Sequence, residues 1–514
     1  MLAAEISRRK LGSVILVESG TKPTSRHLKV PVQYPYAFKS SHAWQYETIP
    51  QAGLAGRKIQ LPAGKTLGGS SAINAMIYLR GHASDYQLWE QLVGPDWSPG
   101  NVAMAFQAME RSIGIGDALS ADLHPATLEF LALVASGSLL PSLQPFIEPA
   151  IGIGAYTRCQ RNGRRRSAWD LWSKGNFSPE ATKSNIQLIQ NASVQHLVMK
   201  RQKVVGLAIK TNDHAEPTTI LSASKGVIVC AGTIQSPRLL LVSGIGDADE
   251  LEAIGVPCQV DLPAVGKNLQ DHLLFPVVRN LKRHGSLPSR MSDAERYAYA
   301  RNRTGPMTSN IAEVGGFLSF SNQAIEDRNW TKKVPDFQWH VTPTHYLEYP
   351  TKPEPTAAIS IAVSLCHPTS RGTVRLVPAT RSDSSEQFEL AIDPAYLASP
   401  DDLSRLLAAV QQTRSIFDGD SFLELVGDEL LPGAKRQRDD QVATAIARFA
   451  TTIYHYAGTC GMGSERTGVV DEKFRVRGVD GLWVCDASAM PRLVCCNTQA
   501  TVMMMAYRLA EWLV

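Results

Sequence analysis

Residues able to do chemistry sit in a few short stretches of this chain. Glu18 closes the apolar run Ser13 to Glu18, SVILVE. A carboxylate at the end of a buried strand can accept hydrogen bonds from a ribose, although an acidic residue there is often only part of a turn. Gly64 to Asn74, GKTLGGSSAIN, gathers glycines and serines, which lets backbone N–H groups approach a ligand closely or else makes a flexible loop. Gly232 to Gly246 (GTIQSPRLLLVSGIG) and Tyr454 to Gly463 (YHYAGTCGMG) each follow or adjoin a strand-like run. Other chemistries lack their residues. No GxSxG nucleophile turn of a hydrolase is present. The eight cysteines show neither CxxC nor a paired Cys/His spacing, which argues against a structural metal and a disulfide scaffold.

These residues need elements to position them. SVILVE reads as a buried parallel strand, and Lys225 to Gly232 (KGVIVCAG) and Gly481 to Ser488 (GLWVCDAS) have the same form. Three such strands separated by helix-length segments predict an open α/β sheet with its ligand off the strands' C-terminal ends. Residues 276 to 450 differ, with alternating stretches at Phe337 to Thr342, Ala357 to Cys366 and Gly372 to Val377. They predict a mostly antiparallel second domain inserted into the first. The glycine fingerprint of a dinucleotide fold should lie about 20 residues before its strand-end carboxylate, which for Glu18 falls before Met1. The first strand and phosphate loop are therefore expected to be missing, in an incomplete form of a longer protein, and Met1 to Arg8 reads as the tail of the helix after that loop.

Composition limits the function. A chain of 514 residues exceeds one ordinary core, and 44% hydrophobic with 19% charged residues is globular composition without a membrane-spanning run. Lys plus Arg (52) against Asp plus Glu (48) leaves +4, no footprint for nucleic acid. Small-molecule chemistry and, with no secretory signal at MLAAEISRRK, a cytoplasmic location are the expectations. The densest charge run, Arg158 to Arg166, is read as a solvated loop.

Together the motifs resemble the glucose–methanol–choline (GMC) oxidoreductases, a family of flavoenzymes. Gly64 to Gln87 fits the family's first signature, with GGSS and then IN before MIYLRG, and Gly232 to Gly246 fits the second. His455 in YHxxGTCxMG is similar to the family's catalytic histidine, and Asp486 to Asn497 (DASAMPRLVCCN) to the segment holding its second active-site residue. The resemblance implies an α/β FAD-binding domain (Rossmann-like, GMC type) at 1–110, 160–275 and 450–514. A substrate-binding α+β domain would occupy 111–159 and 276–449.

It further implies FAD as cofactor, with Glu18 on its ribose and Val194 at the adenine through its backbone. Gly68, Gly69, Ser70 and Asn74 would lie along the flavin, and Asp486, Ala487 and Thr498 would face its ribityl and pyrimidine end. His455 and Asn497 would form the catalytic pair: imidazole takes the hydroxyl proton as hydride leaves the carbon, and the amide orients the oxygen. His272 is read as structural, and Cys495 and Cys496 as free buried thiols. The expected activity is oxidation of a primary or secondary alcohol, with oxygen or another electron acceptor as co-substrate, in catabolism or natural-product tailoring. Trp339, His340, Tyr346 and Tyr349 point to an aryl or polycyclic substrate. A lyase or photodecarboxylase on the same fold, or an inactive homologue, are the alternatives.

Overall fold

The apolar runs form the strands their β-branched residues predict. In the computed structural model, which describes all residues but 115–122, 137–139, 141, 175–184, 212–216, 321–332, 348, 351–355, 380–386 and 514, Leu2–Arg8 is a helix (α1) and Val14–Glu18 a strand (β1). β1 runs parallel to Ile186–Gln190 (β2), with Glu18 opposite Gln190, and β2 leads into Ala192–Lys200 (β3). Val227–Val229 (β4) turns into the helix Gly232–Val242 (α2) and pairs in parallel with the late strand Leu482–Val484 (β11). The pairs β1–β2 and β4–β11 are not hydrogen-bonded to each other. α1 packs on β1 and on the last helix, Gln499–Trp512 (α4). Its buried Glu5 is ion-paired with Arg8 and Arg9.

The second sheet is antiparallel, as alternation predicts. Leu273–Leu281 (β5), Val314–Leu318 (β6), Phe337–Thr342 (β7), Ala358–Leu365 (β8) and Val426–Leu431 (β9) lie in the order β6-β7-β8-β5-β9, and Thr451–Thr452 (β10) adds to β5. The boundary expected at 275 falls inside β5. Parts of the stretches expected to form the substrate domain, such as 115–122 and 321–332, lie outside the described residues. Side chains on a strand alternate between faces. On β7, Phe337, Trp339 and Val341 join an apolar cluster with Leu406, Val410 and Phe417 of the helix Pro400–Phe417 (α3). Trp339 Nε1 donates to Thr413 Oγ1 of that helix at 2.9 Å. Trp339 is thus a core residue rather than part of a substrate pocket. Tyr349 likewise packs against the small cluster of Val30, Leu287 and Tyr299.

The basic cluster is not a solvated loop. Gln160–Arg161 and Arg164–Arg165 form a short hairpin, and Arg158 and Arg165 are buried while Arg161 and Arg164 are exposed. A hairpin turns alternate residues inward, and a count of charges carries no information about which ones.

Candidate functional site

His455 is aimed by the backbone around it. Tyr454, with φ of 66°, occupies the left-handed region, rare for a bulky residue, and turns the chain after β10. The turn is held by the buried carboxylate of Asp271, which accepts from His455 N at 2.9 Å and from the hydroxyls of Thr452 and Tyr396. Burial pushes the Asp271 carboxyl up to about 6, against those hydrogen bonds.

A directed chain of hydrogen bonds then sets the His455 tautomer. His272 Nε2 lies 3.0 Å from the carbonyl oxygen of Cys366, which can only accept, so this nitrogen carries the proton and Nδ1 is bare. His455 Nδ1 lies 2.9 Å from that bare nitrogen and must be the donor. His455 Nε2 is left unprotonated, 3.0 Å from Asn497 Nδ2, whose amide donates to it. Burial, with His272 and His340 beside it, holds the His455 imidazole well below its ordinary range, and burial brings His272 down to about 4. Both rings are neutral at neutral pH. The arrangement presents a neutral base next to an amide donor, which suits removal of a hydroxyl proton. His272, read from sequence as structural, in fact orients His455. Its place in NLQDHLL carries no signal for this, because its contact to His455 spans 183 residues.

Asn497 is held from two sides. Its Oδ1 accepts from Gln338 Nε2 of β7 at 3.3 Å. Two residues earlier, Cys495 N donates to the buried Asp85 Oδ2 at 3.0 Å, and Asp85 also binds His82 N and His367 Nε2. Cys495 and Cys496 are free and fully buried.

Several of the remaining expected site residues are joined by close contacts between strand ends, loops and the last helix. Glu18 is half-buried at the end of β1, where its Oε1 accepts from Gly20 N at 2.8 Å and burial raises its pKa. Only glycine fits at 20, since a Cβ would stand 2.0 Å from Lys65 O. This close approach joins Glu18 to the Gly64 loop. Val194 lies on β3, whose Ser193 hydroxyl is 3.4 Å from that of Ser19. Gly68 and Gly69 take left-handed conformations, and a Cβ on Gly69 would meet nothing within 4 Å, so the loop has an open side there. Ser70 Oγ closes the loop by accepting from Gly64 N.

Asn74 joins the loop to the last helix by donating to Gln499 Oε1. Arg165, not singled out from sequence, holds the loop's underside through Ser71 O, Asn74 Oδ1 and Asn74 O, and also binds Leu28 O. Asp486 differs from expectation. Its two oxygens accept from Gly232 N, Ser236 Oγ, Ser488 N and Ser488 Oγ, which occupies about all the acceptor capacity of a carboxylate. Any contact to a ligand there falls to the backbone. Ala487 O accepts from Gly458 N, and Thr498 starts α4 without a side-chain cap, leaving that helix's first N–H groups open to an anion.

Family models of GMC oxidoreductase match residues 13–274 and 368–506. The chain belongs to the GMC oxidoreductase family. An alcohol dehydrogenase [acceptor] of Pseudomonas putida is 32% identical over 100% of this chain and 92% of its own length. The mitochondrial choline dehydrogenase of Homo sapiens is 30% identical over 99% and 87%. Among solved structures, pyridoxine 4-oxidase from Mesorbium loti superposes with a TM-score of 0.84 at 28% identity, covering 99% of this chain and 96% of that one. A fungal aryl-alcohol oxidase shares the fold, with a TM-score of 0.79 at 20% identity over 100% and 96%.

This GMC oxidoreductase is an FAD-dependent enzyme acting on CH–OH donors, with a small-molecule substrate and an electron acceptor. Its described residues fit FAD at both ends, with a carboxylate acceptor at Glu18, an open glycine turn at Gly68-Gly69 and uncapped N–H groups at the start of α4. No helix among the described residues is long and apolar enough to cross a membrane.

Proposed function

We propose that this GMC oxidoreductase oxidises a primary or secondary alcohol, with His455 as base and Asn497 orienting the reacting oxygen. The observation that carries the reading is the chain from Cys366 O through His272 and His455 to Asn497, which leaves one bare imidazole nitrogen beside an amide donor. The alcohol O–H donates to His455 Nε2, and Asn497 Nδ2 donates to the alcohol oxygen. As the carbonyl forms, His455 takes the proton at Nε2 while its Nδ1–H stays on His272. Bound FAD supplies the acceptor for the hydride leaving the carbinol carbon. Burial disfavours the imidazolium, so the proton is held only while the C–H bond breaks and is then released. Glu18 accepts from the ribose of FAD, Val194 meets its adenine, and Gly68, Gly69, Ser70 and Asn74 lie along it. The open N–H groups after Thr498 favour negative charge on the pyrimidine.

The test is anaerobic mixing of the holoenzyme with a panel of primary and secondary alcohols. Bleaching of the flavin absorbance is expected. Conversion of an alcohol without bleaching would point to a lyase, and absence of bleaching with every alcohol would overturn the reading.

A further inference from the structure

A buried carboxylate outside the catalytic pair links its two arms. Asp85 stands in the first turn of the helix Ala83–Val93, where its Oδ2 closes a capping box by accepting from His82 N at 2.9 Å. The same oxygen accepts from Cys495 N at 3.0 Å, and Oδ1 accepts from His367 Nε2 at 2.7 Å. One turn further along, Trp89 Nε1 donates to Arg492 O at 3.0 Å, so one face of this helix fixes the segment 492–495 at two points. That segment runs directly into Asn497. His367 in turn follows Cys366, whose carbonyl oxygen accepts from His272 Nε2.

These contacts close into a ring. From Asp85 Oδ1 it passes through His367 to Cys366 O, then to His272, His455 and Asn497, and returns along the backbone to Cys495 N and Asp85 Oδ2. When an alcohol oxygen takes up both His455 Nε2 and Asn497 Nδ2, their mutual hydrogen bond is gone. Only the remainder of the ring then sets the spacing of the two nitrogens. The link that closes it is charge-assisted when the His367 ring is protonated. Burial works against both charges, yet the bond between them raises the His367 imidazole above its ordinary range and brings the Asp85 carboxyl below its own. A carboxylate is buried at a cost unless it is paired, and an apolar side chain in its place would give Cys495 N no direction.

The geometry points to Asp85 and His367 as positioning residues that hold His455 and Asn497 at the spacing one alcohol oxygen needs. The inference rests on the reading of His455 and Asn497 as the site of alcohol oxidation.

A double-mutant cycle separates the two. Its measure is the limiting rate of flavin reduction in the holoenzyme, with the alcohol that bleaches it fastest. His367→Leu should lower that rate roughly 10-fold, since a small misplacement of reacting groups can cost up to about 10². His367→Gln, whose amide nitrogen can stand near the place of the imidazole Nε2, should recover most of the loss. In Asn497→Ala, where one of the two spaced groups is missing, adding His367→Leu should cost no more than about 2-fold, whereas independent effects would multiply. FAD content reports folding. The His367 side chain is 34% exposed and that of Asp85 only 1%, so if His367→Leu fails to hold FAD, His367→Asn takes its place in the cycle, its shorter amide leaving room for water at the carboxylate. Equal losses in both backgrounds, an unchanged rate in the single variant, or no recovery with His367→Gln would overturn the inference and leave the pair a structural contact only. Alcohol oxidation at His455 and Asn497 stands in that case as long as Asn497→Ala is itself slow. Absence of bleaching with every alcohol, or a wild-type rate in Asn497→Ala, removes the reading beneath and the inference with it.

Discussion

At the scale of single residues, the His455 tautomer makes the sharpest predictions. His455→Ala should slow flavin reduction by roughly 10² to 10⁴, the range for loss of a positioned base. Asn497→Ala should cost less, since it removes an orienting donor and no proton acceptor. The wild-type rate should rise with pH through an inflection below the ordinary histidine value of 6.5 and be flat at neutral pH, because burial holds His455 low. His272→Leu tests the relay. It leaves His455 Nδ1–H without its acceptor and removes a neighbour that depresses the His455 pKa. Stopped-flow reduction should therefore show both a slower rate, by about 10-fold or more for an unpaired buried donor, and a displaced inflection, because the acceptor of Nδ1–H favours the imidazolium while the neighbouring ring disfavours it. A slower rate with an unmoved inflection would make His272 a packing residue only.

At the scale of elements, the loop from Gly64 to Asn74 depends on a side chain from another hairpin. Arg165→Met would strip Ser71 O, Asn74 O and Asn74 Oδ1 of their shared guanidinium. FAD affinity, measured by flavin fluorescence on titration, should fall by at least about 10-fold, as expected for loss of charge-assisted bonds. Arg165→Lys should not restore it, because an ammonium cannot span the same fork of acceptors. Glu18→Gln should weaken FAD binding more than it slows turnover at saturating FAD, since the carboxylate is proposed to act on the ribose, away from the reacting carbon. An unchanged FAD dissociation constant would remove Glu18 from the site.

At the scale of the whole molecule, the buried imidazoles link stability to pH. His272 and His340 are both brought down to about 4 by burial, and His455 lies well below 6.5. The unfolded chain protonates these rings near 6.5 while the folded one does not, so stability is lost as pH falls from about 6.5 toward 4. Each of the first two withdraws roughly 3 kcal/mol over that window. Asp271, raised to about 6, takes a proton in the folded state first and returns about as much as one histidine removes. A net fall in Tm between pH 6.5 and 4 is expected by calorimetry, and His340→Phe should flatten it. A Tm unaffected by acid over this range would show that the rings are charged in the folded protein.

Much of this was legible in the chain itself. The apolar β-branched runs ending in Glu18 and before Asp486, and the alternation of Phe337 to Thr342, determined strand type and face because those patterns are local. The motif around His455 with Asn497 determined the family and thereby FAD. The Gly64 loop could be recognised, because glycines that allow close approach leave a composition. Tertiary structure alone decided that Trp339 faces the core and His340 the site, since alternation says which residues share a face but not which face meets what. It decided as well that the Asp486 carboxylate turns inward, that Arg165 is buried beneath the loop, and that His272 sets the His455 tautomer. Each of these depends on partners brought together from distant parts of the chain, where hydrogen-bond direction and burial, rather than residue type, determine what a side chain does.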